Sequence, residues 1–449
     1  MMSRLMQGLL AGSLALASGA VMGKAAPEEV RSLGGAQFTP VGAERAGNAS
    51  GTIPAWDGGL TRAPAGFDPK QGYADPFAGD KILYTVTAQN MEQHKALLSP
   101  GQMAMLRTFP EFKLNVYPSR RTAAIPADVA ENVKREAGSA DLESEGNGVT
   151  GVTRSTTPFP FPKSGVEVIW NHTFRYRGKA AVRQLAAFPV QANGNFVPIT
   201  YTETLAFNGA FEKPEANRLL FIKSRTTGPS NLAGNAYSAY DPINQVKESR
   251  VAFLYNPGQR RVLRAPEFAY DYPGTNSDGL RTVDEYDGFN GAPDRYEWKL
   301  VGKREMLIAY NNYKLNSKAL RYRDIVKPGH ISQDLVRYEP HRVWVVESTL
   351  KPGQRHIYAK RTFYVDEDTW QVAHVDQYDG RGELWRVHEL HAMQFYDQAA
   401  PWINSEVIYD LQARRYLVIG LSNEERPIEW NPKLSPGDFS SDNLRRTSN

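Results

Sequence analysis

From Val166 onward the chain alternates apolar and polar residues. Val166, Val168, Trp170, His172, Phe174 and Tyr176 point one way, against Glu167, Asn171, Thr173, Arg175 and Arg177. A period of two predicts a half-buried strand. Asn193-Gly194 then joins two further strand-like runs, a hairpin signal. The second run sets Tyr201, Leu205 and Phe207 against Thr200, Thr202 and Thr204. Segments 219–223 and 251–255 read as strands. Asn256-Pro257-Gly258 turns the chain into another over 260–264.

The last third repeats the pattern. Strands are expected over 341–350, 355–365, 370–378, 383–391, 406–411 and 415–419. Pro352-Gly353, Asp366-Glu367-Asp368 and Asp379-Gly380-Arg381-Gly382 make turns between them. Turns this short force antiparallel neighbours, a meander. Helical spacing is confined to earlier segments. One helix has Thr87 as its cap and Met91, His94, Leu97 and Leu98 on one face; Pro100-Gly101 stops it. The next ends near Phe109, and a third spans Pro126 to Leu142. Residues 286–327 mix charge with aromatics and read as loops plus a short helix. No βαβ alternation occurs, so the expected class is α+β, mainly β: a large curved antiparallel sheet, an incomplete barrel, with helices over its open side.

Residues 26–80 are rich in Gly and Pro and read as an irregular arm over the surface, anchored by Phe38, Val41, Ile53 and Trp56. The rest of 26–449 is taken as one domain with this arm. Before it, Arg4 precedes an apolar or small stretch from Leu5 to Val21, with small-residue exits after Ala20, Gly23 or Ala25. That is the form of a cleavable export signal over 1–25. The chain has no cysteine. It therefore has neither disulfides nor the lipid attachment point of a bacterial lipoprotein, and a soluble periplasmic location is expected.

Composition narrows the function classes. Hydrophobic residues make up 41% and charged residues 23% of 449, an ordinary globular balance. A net charge of +4 spread over this length argues against nucleic acid as a partner. The 22 Tyr, 19 Phe and 8 Trp suit a large sheet.

Motifs for chemistry are weak. His388-Glu389-Leu390-His391 places its histidines three apart, not the four that puts both on one helix face. On a strand they point to opposite faces, so surface or edge histidines are expected rather than a metal site. Asp366, Glu367 and Asp368 read as a solvated turn. Asp284, Asp287 and Gly288 lack calcium-loop spacing. There is no Gly-x-Ser-x-Gly and no P-loop. No catalytic, cofactor-binding or metal-binding residue is assigned, and no cofactor is expected. Basic residues sit beside aromatics at Arg175-Tyr176-Arg177, around Arg337, Tyr338, His341 and Arg342, and around Arg355, His356, Lys360 and Arg361. Cross-strand pairing with Asp and Glu is the plain reading; a contact for anionic headgroups or an acidic partner is the other.

Several segments carry a family resemblance. They are Thr39-Pro40-Val41-Gly42-Ala43 with Ala46-Gly47-Asn48, the run Pro158 to Pro162, and Trp170-Asn171-His172. Others are the run Asn256 to Val262, Gly302 to Glu305, Arg337 to Glu339 leading into His341 to Glu347, and Phe363 to Trp370. In this order the chain resembles the exported family called domain of unknown function 1329, grouped with the LolA/LolB-like periplasmic lipoprotein carriers. The resemblance implies a carrier or chaperone that holds a lipid or acylated lipoprotein cargo in an apolar hollow between sheet and helices. It also implies partners at the envelope: an inner-membrane export pump of the resistance-nodulation-division type and outer-membrane components. The lining residues expected from the strand faces are Trp170, Phe174, Tyr201, Phe253, Trp344, Phe363 and Trp385. A periplasmic hydrolase of glycans or lipids, needing two carboxylates across a cleft, and a non-catalytic adaptor of an export assembly with a large exposed patch, stay open beside it.

Overall fold

The computed structural model describes residues 24–265 and 270–448; most of the export signal expected over 1–25 lies outside them. The chain opens with helix α1 (Pro27–Ser32), strand β1 (Tyr84–Val86), helices α2 (Met91–His94) and α3 (Pro100–Thr108), and strand β2 (Leu114–Val116). Helix α4 (Ala127–Ala137) follows, then the small hairpin β3 (Asp141–Glu143) and β4 (Gly148–Thr150), then helix α5 (Gly165–Phe174). A first meander runs through β5 (Ala180–Val190), β6 (Ile199–Phe207), β7 (Leu220–Gly228), β8 (Ala236–Asp241), β9 (Val251–Asn256) and β10 (Arg261–Arg264). After β11 (Tyr296–Ala309) and α6 (Tyr322–Ile325) comes a second: β12 (Tyr338–Leu350), β13 (Lys360–Asp366), β14 (Val372–Tyr378), β15 (Leu384–Phe395), β16 (Ala400–Asp410) and β17 (Arg415–Leu421). Strand β18 (Glu429–Trp430) and helix α7 (Ser441–Ser448) close the chain.

All strands except β3 and β4 join one sixteen-stranded sheet. The two meanders meet where β17 pairs antiparallel with β5, and β11 branches from β12. Only the Tyr338–Val116 contact of β12 with β2 is parallel. The sheet does not close on itself: β1 and β10 end its main path. Bulges interrupt several pairs, including β11–β12, β13–β14 and β15–β16, and bend the strands they occupy. The α+β, mainly β reading holds.

Two segments differ from the expectation. Residues 165–174 form a helix, not a strand. Ser164 caps it, accepting the Glu167 N–H, and Glu167 accepts the Lys163 N–H in return. The alternation misleads because α5 is buried on nearly every side, from Glu167 to Phe174. Such a helix shows no 3.6-residue stripe. It lies so close to the sheet that a Cβ on Gly165 would meet Trp298, Lys299 and Val346 at 3.0 Å. The second is β11, fourteen residues long where loops were expected. A register shift between Leu300 and Gly302 flips the side-chain phase halfway, and Lys299, Lys303, Arg304 and Glu305 break the apolar run. The third expected helix stops at Ala137 rather than Leu142.

Each face of the second meander has its own core. On the first face α5 packs Val168, Ile169, Trp170 and Phe174 against Val346, Phe363, Val365, Val375 and Leu390. On the opposite face α3 and α6 bring Met105, Leu106 and Ile325 against Val387, Val407, Tyr409 and Val418. The arm is anchored as expected. Phe38 meets Phe161 edge-on at 5.0 Å, Val41 joins the first core, Ile53 is buried, and Trp56 donates to the Ala123 carbonyl at 2.9 Å.

Candidate functional site

The structure scatters the seven residues proposed to line a cavity. Trp170, Phe174 and Phe363 are packed core, with Trp344 against them. Trp170 donates to the Gly146 carbonyl at 2.9 Å, Trp344 stacks on Trp370 at 6.1 Å, and Phe363 meets Phe289 and Trp298 within 5.8 Å. Tyr201 packs with Ile408, Leu417 and Ile419 beside a hollow of about 40 Å³. Phe253 lies near the sheet's far edge with Tyr255 and Leu444 of α7. Trp385 donates to Asp410 at 3.0 Å and meets Tyr358 at 5.7 Å. Phe174 and Tyr201 border two separate hollows.

Larger spaces lie elsewhere, between α4, the 152–155 segment and the end of β6. Two adjoining hollows of about 320 and 290 Å³ share Arg154, Ser155, Phe207 and Gly209. Val129, Tyr176 and Phe207 floor the first; Val152, Phe174, Phe207 and Leu219 floor the second. All of these are buried. Arg135, Arg154, Lys179 and Arg218 stand around the rim with Asp128, Glu131 and Glu215. A Cβ on Gly209 would come within 3.0 Å of the Arg154 side chain, so glycine keeps the saddle between the hollows low. Sequence reading missed this groove because its walls come from four separated segments.

The basic–aromatic clusters are spent on internal carboxylates. Asp287 takes Arg175 at 2.5 Å and Arg177 at 3.1 Å; Asp284 takes Arg361 at 3.0 Å and His356 at 3.2 Å. Arg337 reaches Glu339 at 2.5 Å and Asp80 at 2.8 Å. Arg183 pairs with Glu203 while lying 4.0 Å from the Trp402 ring centroid. Cross-strand and cross-layer pairing thus accounts for these cations. Burial would raise the Asp287 carboxyl, but Arg175 and Arg177 outweigh it and hold it at about 2.

His388 and His391 lie on a strand with opposite facings, yet both are buried rather than at the surface. His388 meets Glu406 at 3.0 Å, and His391 lies 3.4 Å from Glu389. A Ser–His–Asp set also occurs. Ser99 Oγ is 2.9 Å and Asp376 Oδ1 2.8 Å from the same nitrogen, His374 Nε2. A relay needs the acid and the nucleophile on different ring nitrogens. Here Ser99 instead caps α3, accepting the Gln102 N–H at 3.0 Å.

The acidic turn departs from its reading most. Asp366, Glu367 and Asp368 join β13 to β14 but are buried, not solvated. The arm lies over them: Glu367 accepts the Glu44 N–H at 3.1 Å, and Trp370 donates to the Val41 carbonyl at 3.0 Å. Arg121 donates to both oxygens of Asp368, at 2.6 and 2.8 Å. His341 on β12 shares their face, with Nδ1 3.7 Å from Asp366 and 4.0 Å from Asp368. Burial, then the charge of Asp368, pushes Asp366 up to about 7.

Residues 85–445 match the family described as "Protein of unknown function (DUF1329)". The chain is 48% identical over 440 residues to an uncharacterised protein of Pseudomonas aeruginosa, covering 97% of this chain and 96% of that one. Solved structures that align with it include a Vibrio parahaemolyticus domain named for outer membrane lipoprotein sorting (14% identity, TM-score 0.45, 63% of this chain and 98% of that one). A DUF1329 family protein from Desulfovibrio piger aligns at 13% identity and TM-score 0.42, over 60% of this chain and 92% of that one. A LolA superfamily protein from Nitrosomonas europaea aligns at 11% identity and TM-score 0.38, over 62% and 99%.

Proposed function

The chain belongs to the DUF1329 family, and from that premise we propose that it is a periplasmic carrier or chaperone for a lipophilic cargo, a lipid or acylated lipoprotein. One observation carries the reading: the paired hollows, floored by Val129, Val152, Phe174, Tyr176, Phe207 and Leu219 and rimmed by arginine and lysine. An acyl chain on such a floor gains about 0.8 kcal/mol per buried methylene. Lys179 and Arg218 on the rim already pair with Asp128 and Glu248, so Arg154, which borders both hollows, is the cation that suits an anionic headgroup or a terminal carboxylate. Each hollow is at the small end of ligand sites, about 300 to 1,000 Å³. One chain segment fits as they stand, and a longer one requires α4 to move aside.

The rest of the reading is consistent with that cargo. The N-terminal segment has the form of an export signal, and the chain lacks cysteine. No helix among the described residues is long and apolar enough to cross a membrane. Ser99 of the His374–Asp376–Ser99 set caps a helix, and carriage rather than catalysis is the proposed activity. Residues 26–449 are proposed to act as a single domain.

Native mass spectrometry of the protein purified from its own periplasm, followed by lipid extraction, tests this. A stoichiometric acyl-containing ligand is expected. Gly209→Trp, which fills the saddle by displacing Arg154, is expected to abolish retention, with circular dichroism checking that the variant stays folded. A clean ligand-free mass that persists with added lipids would overturn the carrier reading. Unchanged retention in Gly209→Trp would move the cargo out of this groove.

A further inference from the structure

We propose that His341, Asp366 and Asp368 form a binding site for one divalent transition-metal cation, fastening the N-terminal arm to the sheet. The site is independent of the lipid groove. Its donor atoms, one imidazole nitrogen and two carboxylate oxygens, lie within 4.8 Å of one another, and all three residues are buried. Strand register brings them together. Val343 stands opposite Asp366, so His341, two residues back, is Asp366's diagonal neighbour on the same face. Asp368 follows in the turn. Ligands about 2.1 Å from one ion sit roughly 3.0 to 3.5 Å apart. The separations of 3.7 and 4.0 Å from His341 Nδ1 therefore close with shifts of a few tenths of an ångström.

A second observation points to a ligand rather than to a self-contained network. Asp366 Oδ1 is buried without a hydrogen-bond partner and faces His341 Nδ1. Its other oxygen accepts the Thr369 hydroxyl at 2.6 Å. Leaving a buried carboxylate oxygen bare is costly, and a cation between the two aspartates removes that cost.

The surroundings are arranged as around a ligating histidine. Glu339 accepts from His341 Nε2 at 3.1 Å, so the carboxylate orients the ring and leaves Nδ1 toward the site. The Tyr310 ring lies 4.0 Å from the imidazole and walls one side. The nearby charges are already assigned. Arg337 answers Glu339, Lys303 and Arg342 answer Glu367, and Arg121 answers Asp368. Asp366 alone has no cationic side chain except His341. Arg121 occupies one lone pair on each Asp368 oxygen, and each oxygen keeps another. A hollow of about 60 Å³ between the arm and residues 123–125 reaches Asp368 and gives an entry. Nitrogen and carboxylate donors suit Zn²⁺ or Mn²⁺ better than Mg²⁺.

Arg121 also donates to the carbonyls of Glu44, Arg45 and Pro54. An ion held by Asp368 thus ties the arm to β12 and to the β13–β14 turn.

The test uses the full chain, stripped with EDTA and then given Zn²⁺, Mn²⁺ or Mg²⁺ separately. Calorimetry and native mass spectrometry are expected to show one Zn²⁺ or Mn²⁺ per chain, and the melting temperature to rise with Zn²⁺. Asp366→Asn is expected to lose the ion. Glu339→Gln, which keeps all three ligands, is expected to weaken it about 10- to 100-fold. His94→Gln, remote from the site, is expected to change nothing. Should a variant fail to fold, X-ray absorption on wild type with Zn²⁺ decides. One nitrogen with oxygens supports the site, and two or more nitrogens overturn it. No binding to wild type, or unchanged binding to folded Asp366→Asn, also overturns it.

Discussion

Strands β13 to β16 are buried on both faces, whereas the second half of β7 is covered on one face only and no residue of β10 is buried. Both meanders alternate in sequence. In the first, alternate residues of β7 such as Arg225 and Thr227 meet water. In the second, the polar positions of β14 and β15, among them His374, Asp376 and Glu389, lie under α3 and its flanking segments. Alternation settles which side chains share a face, and the covering elements settle whether that face is wet. Where it is dry, each charge requires a partner, so the second meander carries buried ion pairs and the first carries few.

The largest effect expected from this difference is at Arg361 on β13. Arg361→Ala leaves Asp284 buried with His356 and the Thr282 hydroxyl but no guanidinium, and is expected to cost about 3–5 kcal/mol, measured by urea denaturation. A value within 1 kcal/mol would mean that water reaches this pair. The apolar comparison is Phe363 against Phe253. Phe363→Ala is expected to cost about 3–5 kcal/mol, and Phe253→Ala about 1–2 kcal/mol. Equal losses would erase the contrast between the meanders.

Acid should reach the second meander through Asp287. Its unfolded carboxyl titrates near 3.9, and the folded one at about 2. The contribution of these pairs is therefore complete above about pH 5 and is lost progressively as pH falls through 4 and past 2, about 2.6 kcal/mol in all. Urea midpoints from pH 2 to 6 should show this limb, and Asp287→Asn should flatten it. The smallest effect belongs to the first meander. Arg218 pairs with the half-exposed Glu248 at 2.6 Å, and Arg218→Ala is expected to cost less than about 1 kcal/mol, shrinking further as salt is added to the urea titration.

Legibility followed locality. The hairpin around Asn193-Gly194 and the Pro352-Gly353 and Asp379–Gly382 turns could be read because turn chemistry is written in adjacent residues. Helix α5 could not. Its apolar surround erases the helical stripe and leaves Ser164, its cap, as the one local mark of a helix start. Strand β11 was hidden by one bulge that inverts its phase. The lining residues Trp170, Phe174, Tyr201, Phe253, Trp344, Phe363 and Trp385 were chosen as aromatic positions on strand-like faces. Composition cannot tell a filled core from a hollow.

By itself the sequence determined the open antiparallel class, the meander of the last third, the arm's four anchors and the family, because each rests on near neighbours or on ordered motifs. The tertiary structure alone decided that Asp366-Glu367-Asp368 is dry, that Phe174 and Phe207 floor one groove, and that His341 faces two aspartates. Those outcomes depend on segments tens to hundreds of residues apart reaching one place, such as Glu44 on Glu367. Local pattern carries no record of such meetings.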